Sequence, residues 1–415
     1  MSTRRIVWVV CTAQFLAQVG AFAVPALLPT FIQSWDLSNS EAGWITGIFY
    51  AGYTVTVPVL VALTDRLPAK WIYLIAVAMT VAAHLGYALL AEGFWSALLF
   101  RALAGIGWAG SYMPGLKALS DITEGPGQSR AVAAHAASIG VSGGLSFAMA
   151  AMIAAWLGWR WALGGAAFSA AVAFVLMAIA LPTRRVPAAA KRGALLDFRP
   201  VFRNRSAMAY ALSYCVHTWE MSALRQWAVT FLSFAAAGEA GARGLFAPAA
   251  VAAAMGLIGV VTSVTGNETA SRFGRQRFIL AVMFAGMAAA LLIGFSAALS
   301  YWIAAAMVCL YAMLIWADSS SLTAGAVGTA RPGERGATMA VHSTLGYAGG
   351  FLGPLAVGLI LDAAGGESVL GWGLAFAHLA LVTAVGPIAM LVLRPSGLAG
   401  DRTERRPLPS TRDTD

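Results

Sequence analysis

The sequence feature that most restricts which fold this chain can adopt is a series of apolar blocks of twenty residues or more, such as Ile6 to Ile32 and Trp161 to Leu181. About 20 apolar residues are needed to cross the roughly 30 Å hydrocarbon core of a bilayer. Only helices and closed barrels satisfy their backbone hydrogen bonds inside lipid, and blocks as continuous as these favour helices. Because 59% of the residues are hydrophobic and 11% are charged, against about a quarter charged in soluble domains, we predict an all-α membrane protein.

The blocks predict twelve transmembrane helices in two six-helix bundles. Residues 1–181 are expected to form the N-terminal bundle, 182–205 a cytoplasmic linker, 206–394 the C-terminal bundle and 395–415 a disordered cytoplasmic tail. The tail is polar, a composition that favours disorder. The predicted spans lie near residues 6–32, 42–63, 71–91, 95–119, 131–155, 161–181, 207–235, 246–267, 278–298, 301–325, 337–361 and 371–393.

The net charge of +9 raises the possibility of nucleic-acid binding, but the basic residues sit between the apolar blocks. With the N-terminus inside, only Arg160 and Arg243 fall on the other side of the membrane. This asymmetry follows the positive-inside rule. It predicts a multi-pass protein of the plasma membrane, as in a bacterial inner membrane, with both termini cytoplasmic, the lipid bilayer as its surroundings and no nucleic acid as a partner.

The sequence has no pattern typical of a metal, cofactor or catalytic site. Cys11, Cys215 and Cys309 fall inside apolar blocks without metal-ligand spacing. Neither a phosphate loop nor a nucleophile triad is found. We therefore predict no metal, no cofactor and no enzymatic activity.

The two predicted bundles are related by a shift of 206 residues. Three separate matches at one offset, in the same order relative to the spans, indicate duplication of a six-helix unit. Parallel repeats of this kind are one of the known plans of secondary transporters. The matches are Asp65-Arg66 with Ser271-Arg272, Pro126-Gly127 with Pro332-Gly333, and Gly140, Gly143 and Gly144 with Gly346, Gly349 and Gly350.

A loop pattern of the form G-x-x-x-D-R-x-G-R-[RK] follows the second span at residues 61–70 and recurs after the eighth at residues 267–276. The first copy lacks both glycines, and the second has Ser271 in place of the acid. With this pair of motifs, the chain resembles the major facilitator superfamily over nearly its whole length. The resemblance implies that family's fold and transport by alternating access. The retained residues are Asp65, Arg66 and Lys70 in the first copy and Arg272, Gly274 and Arg275 in the second.

The fourth and seventh spans refine this resemblance. Arg101, Gly105 and Gly107 match the motif R-x-x-x-G-x-G of proton-linked members, including drug exporters. The antiport motif G-x-x-x-G-P is missing from span five, and its look-alike, Gly349 to Pro354, lies in span eleven. The segment from His217 to Trp227 is similar to bacterial nitrate, nitrite and cyanate porters, without the glycine-rich signature of true nitrate porters.

Three functions remain open at this point. The favoured one is secondary active transport of a small-molecule substrate, with a slight preference for a small anion, coupled to protons as in a symporter. The alternative is proton-linked efflux of drugs or metabolites by antiport. The third, a membrane sensor or enzyme on the same scaffold, would need an added domain or a catalytic constellation, and neither is visible. We expect a monomer.

Ionisable side chains at membrane depth are costly, so each is a functional candidate. Arg101 lies about 9 Å into span four at 1.5 Å per residue. Its helical face continues through Gly105, Trp108 and Tyr112. This face predicts a cavity wall that offers a cation and aromatic surfaces to a substrate. The structural alternative is an arginine tied to helix carbonyls.

Span seven supplies the predicted proton site. Glu220 stands near its middle, and the repeat-equivalent position of span one is Gln14, with Gln18 one turn on. We expect these residues to face the cavity, because the resemblance implies that spans one, four, seven and ten line the path. A glutamate beside Arg101 or Arg225 would bind and release a proton as the cavity opens and closes. The alternative is a structural glutamate that stays paired.

Four further residues are candidates for substrate or proton binding. His217 in span seven is a candidate proton relay. Asp318 in span ten, with Tyr311 on its helical face, is a candidate for the cavity lining. Arg225 is either a ligand or, next to Trp227, an anchor at the membrane interface. The other histidines are expected to be packing residues.

The loop motif predicts a gate on the cytoplasmic side. The resemblance implies that Asp65 contacts the N-terminus of span eleven near residues 336–339, where unpaired amides favour an anion. Arg66 would be held in place by Asp121. The alternative is that Asp65 belongs to a solvated loop. The corresponding gate residues of the second copy are Arg272 and Arg275.

Overall fold

The computed structural model describes residues 3–64, 66–120, 122–123, 125–183, 198–237, 242–331, 334–398 and 401. Within these residues the regular structure is helical, without strands. The helices are α1 (Thr3–Gln18), α2 (Ala23–Ala26), α3 (Leu28–Trp35), α4 (Asn39–Leu63), α5 (Ala69–Leu90), α6 (Phe94–Ser120), α7 (Gly125–Leu157), α8 (Trp159–Ala180), α9 (Arg199–Phe202), α10 (Arg205–Ala235), α11 (Pro248–Phe273), α12 (Arg275–Ile293), α13 (Tyr301–Gly328), α14 (Arg335–Ala363), α15 (Val369–Thr383) and α16 (Val385–Leu393).

Each predicted span coincides with one helix or with helices that follow one another directly. Among the described residues, nine such segments are long and apolar enough to cross a membrane. The other three predicted spans correspond to α1–α3, α6 and α10, which carry buried polar groups such as Gln14, Arg101 and Glu220. The all-α membrane fold is confirmed, and the helix order is consistent with twelve spans.

The first predicted span is broken rather than continuous. Pro25 has no N–H group to donate to the carbonyl of Ala21, four residues earlier. The Nη1 atom of Arg101 donates to that carbonyl at 3.2 Å instead. The N–H of Phe22 donates to Oγ of Ser146 at 3.0 Å. Side chains of α6 and α7 thus satisfy backbone groups that the break exposes inside the membrane.

The two halves of the chain pack through α4 against α14 and α7 against α11. Glycines permit this close approach. A Cβ atom on Gly43 would lie 2.8 Å from the carbonyl oxygen of Pro354, and one on Gly256 would lie 2.7 Å from Cα of Gly144.

We call the side that carries Arg4 and Arg394 the terminal face, and the other side the opposite face. Gly43 lies about one turn into α4 and Gly256 about two turns into α11, and both helices begin at the opposite face. The close contacts that these glycines permit between the halves therefore lie toward that face.

Parts of the predicted linker and tail are packed against the C-terminal half. The linker contains the short helix α9, in which Val201 is buried. Beyond α16, the N–H of Ser396 donates to Oγ of Ser206 at 3.1 Å, and Asp401 is buried. The structure thus describes residues 395–398 and 401 as packed, and disorder of the tail stays a prediction. The remainder of the tail and residues 184–197 lie outside the described part of the chain.

Candidate functional site

A cavity of about 80 Å³ lies between the two halves of the molecule. Arg225 is the single charged side chain among its described lining residues. The lining consists of Gln18, Ala21, Phe22, Trp108, Ile139, Gly140 and Gly143 from the N-terminal half and Arg225, Gly256, Val260 and Trp316 from the C-terminal half. We refer to it as the central cavity.

Arg225 is held between aromatic rings from both halves. Its guanidinium carbon lies 4.7 Å from the ring centroid of Phe22 and 4.8 Å from that of Trp316. Its neighbour Trp227 is fully buried, and the indole N–H donates to the carbonyl of Pro354 at 2.9 Å. The structure therefore places Arg225 at the central cavity, and the alternative of an interfacial anchor is wrong.

Arg101 lies behind the cavity wall. Only 1% of the side chain is exposed, and its guanidinium group stacks 4.4 Å from the ring of Phe49 while Nη1 donates to Ala21. Gly105 faces α4, since a Cβ atom there would clash with the carbonyl oxygen of Phe49. The predicted cavity face is wrong for Arg101 and Gly105, and the arginine tied to a helix carbonyl is the arrangement found.

Trp108 and Tyr112, the other members of that predicted face, have different surroundings. Trp108 lines the central cavity and stacks on Phe49 with ring centroids 4.9 Å apart. Tyr112 stacks on the ring of His135 at 6.0 Å.

The two glutamines of α1 also separate. Gln18 lines the central cavity, and its Nε2 donates to Oγ of Ser111 at 3.0 Å. Gln14 is buried beside Gly115, and its amide has no hydrogen-bond partner among the described residues.

A layer of tyrosines that the sequence did not single out joins α4 to α14. The rings of Tyr53 and Tyr347 lie 3.8 Å apart, one from each half of the chain. Both rings also contact Trp108, with centroids 5.6 and 6.0 Å from it. Tyr50 accepts a hydrogen bond from Nε2 of Gln226 at 3.3 Å. From the sequence alone, aromatic residues at helical spacing in an apolar span look the same whether they pack between the two halves or inside one of them.

Glu220 is buried inside the C-terminal half. It accepts a hydrogen bond from the hydroxyl of Tyr311 at 2.6 Å, and its Oε1 lies near Gly286 of α12. The structure forms no ion pair between Glu220 and Arg101 or Arg225. The expected placement of Glu220 beside an arginine is therefore wrong.

A second buried acid is paired with a histidine. Oδ1 of Asp318 lies 2.8 Å from Nδ1 of His217, and both side chains are almost fully buried. The ring of Tyr214 stacks between His217, at 5.5 Å, and His342, at 4.0 Å. Nε2 of His342 lies 3.4 Å from Oγ1 of Thr323. The predicted candidates His217 and Asp318 thus form one cluster that connects α10, α13 and α14.

The predicted cytoplasmic gate is only partly described. Asp65 and Asp121 lie outside the described residues, and Arg66 is exposed. Arg272 pairs at 2.8 Å with Glu268, one turn earlier in the same helix, and both side chains are more than half exposed.

Arg275 has a partner that follows the last helix. The Nε and Nη2 atoms of this buried arginine donate to the two carboxylate oxygens of Asp401 at 3.2 and 3.0 Å. Its Nη1 atom donates to Oδ1 of Asn267 at 2.8 Å and to the carbonyl of Ser321 at 3.3 Å. In this copy of the loop motif, which has Ser271 at the acid position, Asp401 supplies a carboxylate.

A contact between the halves at the opposite face was not predicted. Oδ1 of Asp362, at the end of α14, accepts from the backbone N–H of Asn39 at 3.1 Å and from its side-chain amide at 2.9 Å. Oδ2 accepts from the N–H of Ser40 at 2.7 Å. A carboxylate is favoured at a helix N-terminus, so Asp362 links the C-terminal half to the start of α4.

Comparison with known proteins matches this architecture. The family model described as "Major Facilitator Superfamily" matches residues 10–354. Among curated proteins, "Protein spinster homolog 1" of Homo sapiens is 26% identical over 238 residues, which are 55% of this chain and 45% of that protein. The chain therefore spans less than half the length of this relative.

Solved structures share the fold over almost the whole chain. A bacterial homolog of the human lysosomal transporter spinster, in an inward-facing and occupied conformation, has a TM-score of 0.71 and 17% identity over 94% of this chain and 95% of that one. The nucleoside transporter NupG has a TM-score of 0.72 and 15% identity over 95% of this chain and 100% of that one.

Proposed function

Because this chain belongs to the Major Facilitator Superfamily of membrane transporters, we propose that it carries a small organic anion across the membrane by alternating access. The observation that supports the anion best is Arg225, the one charged side chain in the described lining of the central cavity. The rings of Phe22, Trp108 and Trp316 in the same lining suit the apolar or flat parts of an organic solute.

The packing of the halves supports a conformation closed at the opposite face. Asp362 bridges to α4 there, and Gly43 of α4 lies against Pro354 of the other half nearby. With both termini cytoplasmic, as the positive-inside rule predicts, this is an inward-facing arrangement. Transport would require the Asp362 contact to break as the opposite face opens.

We further propose that transport is coupled to protons through His217 and Asp318. The Nδ1 atom of His217 and the Oδ1 atom of Asp318 lie 2.8 Å apart in a buried site. A histidine beside a buried carboxylate is a candidate for taking up a proton. Through Tyr214 and His342 the pair contacts α14, the helix that carries Asp362 at its far end. A change in protonation would therefore act on the helix that holds the opposite face shut. Glu220 is the weaker candidate because Tyr311 already donates to it.

Purified protein in proteoliposomes tests the coupling. Asp318→Asn should retain exchange of substrate across the membrane and lose accumulation driven by a proton gradient. Glu220→Gln serves as the comparison, because an amide still accepts from Tyr311. Equal loss of exchange and accumulation in Asp318→Asn would contradict the coupling role.

Uptake of a panel of organic anions into the same vesicles tests the substrate class. Arg225→Ala should abolish anion uptake in protein that remains folded and inserted. The matched control is Arg160→Ala, because Arg160 also lies over a tryptophan, at 4.5 Å from the ring of Trp159, but near the opposite face and outside the central cavity. Full uptake by Arg225→Ala would remove the basis for an anionic substrate.

The aromatic lining also supports the alternative, proton-linked efflux of amphiphilic compounds. The two functions differ in the sign of coupling. Symport predicts that substrate and protons enter the vesicle together, whereas antiport predicts that an outward proton flux drives substrate entry.

A further inference from the structure

A groove of about 800 Å³ runs between α1 and α7 in the N-terminal half. It shares no lining residue with the central cavity, and none of its described lining comes from the C-terminal half. The groove is therefore a separate feature that the transport site does not explain.

The chemistry of the groove changes along its length. Arg4 and Arg130 lie at its terminal-face end, near the starts of α1 and α7, and both side chains are exposed. The remaining wall is mainly apolar, with Trp8, Phe15 and Val141 among its members, and 66% of Trp8 is exposed. No acidic side chain occurs in the described lining of the groove.

The dimensions fit one leaflet of a bilayer. Arg4 and Phe15 are eleven positions apart in α1, a rise of about 17 Å at 1.5 Å per residue. Half of a hydrocarbon core of roughly 30 Å is about 15 Å. The groove thus places two cations at the membrane surface. Its apolar wall extends from there to about the bilayer centre.

We propose that this groove binds one anionic phospholipid from the leaflet at the terminal face. The lipid phosphate lies between the guanidinium groups of Arg4 and Arg130, which donate charge-assisted hydrogen bonds to it. One acyl chain lies along the apolar wall formed by α1 and α7. The apolar wall makes a membrane lipid, rather than a free phosphate compound, the occupant.

Cys11 lines the groove and is a native reporter of its occupancy. The chain has 3 cysteines, so Cys215→Ser with Cys309→Ser leaves Cys11 as the one thiol. Delipidated protein in neutral detergent is alkylated at this thiol while phosphatidylglycerol, or phosphatidylcholine with the same acyl chains, is titrated in. Phosphatidylglycerol should slow the labelling at concentrations at which phosphatidylcholine does not.

Arg4→Ala with Arg130→Ala should weaken protection by phosphatidylglycerol about thirtyfold, because each basic residue near an anionic membrane surface contributes about 1 kcal/mol. Each single variant should weaken it about fivefold by the same reasoning, which keeps the test valid if the double variant fails to fold. The control pair is Arg203→Ala with Arg331→Ala, two exposed arginines outside the groove. This pair removes the same charge and should leave protection unchanged.

Four results would overturn the proposal. They are equal protection by phosphatidylcholine, equal protection by glycerol phosphate without acyl chains, an equal loss of protection in the control pair, and protection by the transported anion alone. The last result would make the groove part of the substrate path. Since Arg225→Ala leaves the groove intact, protection by phosphatidylglycerol should survive in that variant whether or not the proposed anion transport is correct.

Discussion

Arg101 and Arg225 are both single cations inside membrane helices, and the structure gives them opposite surroundings. Arg101 is 1% exposed, and its Nη1 atom satisfies the carbonyl that Pro25 leaves without a donor. Arg225 stacks between two rings at the central cavity and has no hydrogen-bond partner among the described residues. A cation at membrane depth can therefore be held by the fold, as Arg101 is, or be available to a ligand, as we propose for Arg225.

The largest expected effect on stability comes from Arg101→Ala. The change leaves the Ala21 carbonyl without a donor in the membrane and removes the cation over Phe49, which together should cost about 3 kcal/mol. Thermal unfolding in detergent measures this loss. Arg225→Ala should lose about 1 kcal/mol or less, because only ring contacts disappear. Unchanged stability of Arg101→Ala, with transport lost, would restore the original prediction that its charge serves the substrate.

A third cation, Arg275, extends the comparison between Arg101 and Arg225, because its partner is the carboxylate of Asp401. Asp401→Asn removes one of two charge-assisted hydrogen bonds at a buried site, and hydrogen bonds to charged groups contribute about 2 kcal/mol. The same unfolding measurement applies.

Glu268→Gln is the matched control for this pair. Its partner Arg272 is 55% exposed, and exposed ion pairs contribute only about 0.5 kcal/mol. If both variants lose the same stability, the tail is not an integral part of the C-terminal half.

The smallest expected effect concerns the opposite face. Asp362→Asn removes the charge at the N-terminus of α4, an effect of about 1 kcal/mol. It should shift the balance between the two conformations about fivefold. Cysteine accessibility measured from each face should then rise at the opposite face.

Glu41→Gln separates this gate from an ordinary helix cap. Glu41 accepts from the N–H of Ser38 within the N-terminal half, at 2.9 Å, and does not bridge the halves. Accessibility should therefore stay unchanged in this variant. A rise as large as that in Asp362→Asn would contradict a gating role for Asp362.

The architecture was predictable because the length of each span and the internal repeat are both visible in the linear order of the residues. The apolar blocks and the 206-residue shift point to an all-α membrane protein with two related halves. The break in the first span was not predicted, although Pro25 lies inside it. A proline identifies the carbonyl that loses its donor, but not the distant side chain that replaces the donor.

The site was less predictable because it depends on which helix faces meet. Helical spacing put Arg101 and Trp108 on one face, yet Trp108 reaches the central cavity and Arg101 lies behind it. The sequence also does not show which distant segments pair with each other. Asp401 follows Arg275 by 126 residues, and no local pattern connects them.

The most direct test compares binding of a transported anion with binding of its uncharged amide to purified protein. A charge-assisted hydrogen bond contributes about 1.5–3 kcal/mol, so the wild type should prefer the anion by about tenfold to a hundredfold. Arg225→Gln should bind both forms equally, whereas Arg101→Gln should keep the preference. A preference that survives in Arg225→Gln, or disappears in Arg101→Gln, would contradict the assignment of these two arginines.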